Sequence, residues 1–204
     1  MNLQRLKQAE TDFLIRYPGG FQDSEMESTI KKHKMSKMID MVQTEFAPDQ
    51  FGRSDLVIEN LIKVVRQSSL ISLFEKPKFR DFCNLLSGSE REMLVDGLYE
   101  RLHGDEQTGF EMWLDLLITG KMAKWTLMTV VPMYFDSTRE AFVKPTTVKN
   151  MIKELEMENL EYRPQPSWAF YSEFRKQVNS MKKKVDPTLA PSNVAFTGFL
   201  MMTL

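Results

Sequence analysis

Few side chains in this sequence have types and spacings that could do chemistry. Glu100 and His103 stand three apart, which on a helix places both on one face, as in one half of a di-iron bundle site. A complete site needs a second such pair, yet His33, the other histidine, has Ile30 at that spacing instead of an acid. A helix-terminal histidine meeting the negative end of the helix dipole accounts for His103 without a metal. Cys83 is the single cysteine and stands among Phe82, Leu85 and Leu86, where a small buried hydrophobe is expected, not a nucleophile. No Gly-x-Ser-x-Gly, Walker loop or Gly-x-Gly-x-x-Gly occurs, and the Gly19-Gly20 pair reads as a connector between helices. Asp105/Glu106 and Glu154/Glu156/Glu158 read as solvated faces, because no base or second carboxylate cluster stands at tractable spacing. Hence no catalytic residue, metal ligand or cofactor is assigned. An enzyme of unrecognised type, with dispersed residues, would draw on Asp136, Arg139 and Lys144, for which turn and cap roles are the alternative.

Two surfaces remain. Lys31, Lys32, Lys34 and Lys37, with His33 among them, concentrate positive charge on one predicted helix. That patch motivates one reading, a nucleic-acid-associated factor whose phosphate contacts would weaken with salt, although no helix-turn-helix pattern or interleaved aromatics accompany it. Lys182–Lys184, with Arg175 and Lys176, form a second basic cluster. The other surface is the almost wholly apolar tail from Val194 to Leu204. A free tail of that kind invites aggregation, so it must pack on its own domain or on a partner. Phe196, Phe199, Leu200, Met201 and Met202 are therefore candidate interface residues, and the preferred reading is a non-enzymatic protein-interaction or self-assembling protein, with a homodimer as one form.

The elements that must position these residues are helical. Leu3, Leu6, Phe13 and Leu14 define a first helix stopped by Tyr17-Pro18-Gly19-Gly20. Ser24 and Glu27 have capping-box spacing and open a second, running to Pro48. Further helices are predicted from Ser54 to Gln67, around Phe79–Leu86, from a second capping box at Ser89/Glu92 through Leu102, and from Phe110 to Ile118. Trp125–Val131, rich in β-branched residues and running into Pro132, reads equally as a short strand or as a buried helix kinked at the proline. A helix starts near Lys144-Pro145, and the clearest periodicity, Trp168, Tyr171, Phe174, Val178, Met181 and Val185, marks a long amphipathic helix. The expectation is one mainly α domain over residues 1–204: a bundle-like array of about eight helices, with short strands allowed near 125–131 and the C-terminus.

Composition fits that frame. Twenty-seven basic against 28 acidic side chains leave a net charge of −1, so no global field recruits nucleic acid or an anionic membrane. No apolar run approaches the ~18–20 residues needed to span a bilayer. The unpaired cysteine and the charged N-terminus, which has no signal-peptide pattern, favour the cytoplasm.

From Lys124-Trp125 through Phe135-Asp136, Phe142, Lys144-Pro145 and Tyr162-Arg163-Pro164 to Ser167-Trp168 and Tyr171, the chain resembles a family of uncharacterised bacterial proteins. These place an aromatic-apolar stretch, an Asp-containing turn, a Lys-Pro step and a Trp-x-x-Tyr element in the same order. The resemblance covers roughly residues 124–204 and implies a bacterial or phage-like source, with no activity and no functional residue to carry over.

Overall fold

Eleven α-helices, four short 3-10 turns and no strand make up the computed structural model, which describes every residue from Met1 to Leu204. The helices are α1 (Leu3–Arg16), α2 (Glu27–His33), α3 (Met35–Glu45), α4 (Ser54–Gln67), α5 (Glu75–Leu85), α6 (Gly88–His103), α7 (Glu106–Thr119), α8 (Trp125–Phe135), α9 (Pro145–Glu154), α10 (Trp168–Lys182) and α11 (Asn193–Thr203). Mainly α is thus the fold class, but the count of eight and the two strands are corrected.

Each correction has a local cause. The second predicted helix is two, because Lys34 adopts left-handed backbone angles (φ 47°) and ends α2 before α3 begins. A non-glycine residue there costs roughly 1–2 kcal/mol, which the surrounding structure must offset. Ser24 does not cap α2; residues 24–26 form a 3-10 turn whose cap is Asp23, its carboxylate accepting from the Glu25 N–H. The second capping box lies two residues earlier than expected, at Ser87 and Glu90, with Glu90 Oε2 accepting from the Ser87 N–H at 2.8 Å.

The Trp125–Val131 stretch is helical because of where it lies. Nine of the eleven residues of α8 are buried, and it packs against α3, α4, α6 and α7. A single strand there would have no ladder partner, whereas a helix satisfies its own backbone, so tertiary burial overrides β propensity. Pro132 sits in the last full turn, and the helix ends three residues later. The tail is likewise a helix, α11, packed on α1, α9 and α10, and one contiguous core runs from Leu6 to Leu200.

The tightest contact is the α6–α7 hairpin. A Cβ on Gly109 would stand 2.2 Å from the Arg101 backbone nitrogen and 2.6 Å from the Gly97 carbonyl oxygen, so only glycine permits that approach. Gly109→Ala therefore forces the hairpin apart. The expected loss is about 1–3 kcal/mol in denaturant unfolding; a wild-type midpoint would contradict this packing.

Candidate functional site

The segment joining α8 to α9 organises two features that meet near Lys144. Its first is a buried ion cluster around Glu140, a carboxylate only 2% exposed. Arg101 from α6 and Arg175 from α10 each donate to it, and Arg139 lies 3.4 Å away. Tyr171, one turn before Arg175, donates its hydroxyl to Glu140 Oε2 at 2.6 Å. Arg175 also donates to Glu106 at 2.7 Å, and Arg139 bridges Glu106 and Asp136. The guanidiniums of Arg101 and Arg175 both lie against the Trp168 and Tyr171 rings, at 5.3 to 5.7 Å from the ring centres. Three arginines thus face three carboxylates. Burial, then the adjacent Glu140 charge, push the Tyr171 hydroxyl well above its usual range, so it stays a donor. Arg101 Nε is buried in the cluster without a partner.

The second feature is an open apolar cavity of about 410 Å³ between α2, the start of α9 and α11. Ile30 from α2, Met35, Phe142, Val148, Val194 and Met201 form its apolar walls. No aspartate or glutamate lines it, and its two basic side chains are His33 and Lys144. The His33 ring bonds the Ser69 hydroxyl at 2.8 Å. Burial first, then the charges of Lys32 and Lys144, hold its pKa below the ordinary 6.5, so the ring is neutral at pH 7. Lys144 then supplies the cavity's one formal charge. No carboxylate lies within 4 Å of its ammonium group, whose hydrogen-bond partner is the Met201 thioether at 3.3 Å, a weak acceptor. Thr147, 6% exposed, also lines the cavity, and its hydroxyl makes no hydrogen bond within the protein.

The residues singled out in the sequence are dispersed by the fold. Lys31, Lys32, Lys34 and Lys37 are all exposed, but the break at Lys34 divides them between α2 and α3, and Lys31 pairs with Glu27. The second basic cluster dissolves: Arg175 turns inward to Glu140, Lys176 pairs with Glu173, and Lys182 donates to the Thr138 carbonyl. Of the tail residues, Phe196, Phe199 and Leu200 are fully buried within this chain, whereas Met201 and Met202 are exposed and line the cavity. Asp136 caps a turn, accepting from Thr138 and Arg139 backbone N–H groups, and Arg139 joins the ion cluster, so neither shares a site with Lys144.

Glu100 and His103 diverge as well. Glu100 accepts from the Asp105 N–H, while His103 Nε2 donates to the Phe46 carbonyl, which fixes the proton on that nitrogen. No three of the His, Cys, Asp and Glu side chains gather as metal ligands. Cys83 is fully buried, and its thiol is pushed up to about 12 by burial. No helix is long and apolar enough to cross a membrane. Sequence reasoning missed Glu140 and the cavity itself. One signal for the cavity was available: Ile30 is apolar, on a helix that buries no residue at all. No protein-family model, curated protein or solved structure matches the chain.

Removing one member of a buried charge cluster strands the others. Glu140→Gln is expected to destabilise by about 3–5 kcal/mol in denaturant unfolding, and an unchanged midpoint would refute the cluster. A pH dependence follows from Glu106 and Asp136. Burial pushes both carboxyls up. Hydrogen bonds and arginine charge outweigh it: chiefly Arg175, with Arg139, at Glu106, and Thr138, with Arg139, at Asp136. Both therefore titrate below their ordinary 4.5 and 3.8. A depressed folded pKa gives stability that is present above the unfolded value and lost as pH falls through the folded one. The melting temperature should accordingly drop as pH falls from about 4.5, and drop less in Glu106→Gln.

Proposed function

We propose that the protein is a non-enzymatic binding protein whose cavity between α2, α9 and α11 receives the apolar body of its ligand. The observation that carries this reading is the cavity: about 410 Å³, open, and walled mainly by apolar side chains. Its volume falls in the range of small-molecule pockets. Folded chains ordinarily fill such spaces or cover them, and a patch of this kind left open marks a surface with an occupant. The buried charged and nucleophilic side chains support a binding role by their engagement. Glu140, Tyr171 and the arginines hold one another, and Cys83 is inert. The tail enters this reading as a cavity wall through Met201 and Met202, with Phe196, Phe199 and Leu200 anchoring the helix beneath.

Gly198 offers a plug. It lies inside α11 and lines the cavity, and a Cβ there would meet only the Phe21 ring edge at 3.8 Å. Gly198→Leu narrows the cavity and strengthens the helix, so stability should hold or rise by about 0.5–1 kcal/mol. Nile red, a neutral apolar dye, should fluoresce more strongly with the native protein than with this variant, both unfolding cooperatively. Equal dye binding by the two proteins would remove the cavity as the binding site.

A further inference from the structure

Resting on that reading of the cavity, we propose that its ligand is a single-chain amphiphile with a carboxylate head, seated with the head at Lys144 and the hydrocarbon chain along the apolar wall of α11. Four observations converge on a monovalent anion with an oily body. The cavity holds one ammonium group and no acidic side chain, so its electrostatic preference is for a negative guest. That ammonium bonds only a thioether, a partner that a carboxylate oxygen would readily displace. Beside it, α9 begins at Pro145 with no side chain capping its free N–H groups, and Thr147, whose hydroxyl no protein group engages, is among the residues lining the cavity. Both are donors suited to an anion's oxygens.

The rest of the lining limits what can be attached to that head. Val194, Gly198 and Met201 of α11 face Ile30 and Phe21 across the cavity, and flexible thioethers adapt to a chain of variable length. A doubly charged phosphate head would bring a second negative charge with no second cation to meet it, since His33 is neutral at pH 7. A neutral guest would leave Lys144 and Thr147 as they are, and a cation would be repelled.

The test is calorimetric titration of the full chain with decanoate and with decanol, each below its aggregation limit, using wild type, Lys144→Met and Gly198→Leu. Wild type should bind decanoate at least about fivefold more tightly than decanol, a modest factor because Lys144 is exposed. Lys144→Met should erase that preference while leaving decanol binding unchanged, and Gly198→Leu should weaken binding of both. Equal binding of the two ligands, unaltered by Lys144→Met, would overturn the carboxylate assignment and leave the apolar cavity standing. Failure of wild type to bind either ligand, or undiminished binding by Gly198→Leu, would overturn the assignment together with the reading it rests on.

Discussion

A carboxylate taken out of water must find cations and donors, and Glu140 finds Arg101, Arg175 and the Tyr171 hydroxyl. These partners come from two separate helices, so the desolvated charge ties α6 and α10 to the segment after α8. Such a cluster adds little net stability over an oily replacement, but it tolerates no missing member. What it supplies is position. Around Glu140 the segment is pinned on both sides: Asn179 and Asn193 donate to the Arg139 carbonyl, and the Ala141 N–H reaches Tyr171. The Val143 N–H donates to Thr129 of α8. Lys144 emerges from that fixed track, one residue before α9 begins.

The cavity and the core are made from the same helix. α11 turns Phe196, Phe199 and Leu200 inward, where Phe13 of α1 meets Phe199 edge-on, and leaves Val194, Gly198, Met201 and Met202 on the opposite wall. A tail that looks uniformly oily in one dimension is therefore two surfaces in three. One is satisfied by the protein's own core, and the other is open.

Helical periodicity was legible wherever one face of a helix was buried and the other solvated, as in α4 and α10. It failed at α8, which is buried nearly all round and rich in β-branched residues, and at α11, whose outer face is apolar and lines the cavity, because in neither does a polar face mark the period. The break at Lys34 left no trace either, since neither glycine nor proline marks it. The ion cluster was illegible for a different reason: Glu140 meets Arg175 and Arg101 across 35 and 39 positions, and Tyr171 looks like one more member of an apolar stripe. Pairings of that range are set by packing, which local spacing does not encode. Lys144 was singled out as a polar residue near the Pro132 segment. Its separation from Asp136 and Arg139, and its place at an acid-free cavity, belong to the fold alone.

The weakest wall of the cavity has an energetic signature of its own. α2 is seven residues long, contributes nothing to the core and leaves α3 through the single left-handed joint at Lys34. Swinging it outward breaks the His33–Ser69 bond and exposes no buried side chain of its own. Such a motion lies at the fraying end of the scale of local openings, far below the free energy of global unfolding. An outward swing of α2 would therefore open the cavity sideways without disturbing the ion cluster or the helices it ties together. For the binding role proposed above, exchange of a guest would thereby be uncoupled from the stability of the fold.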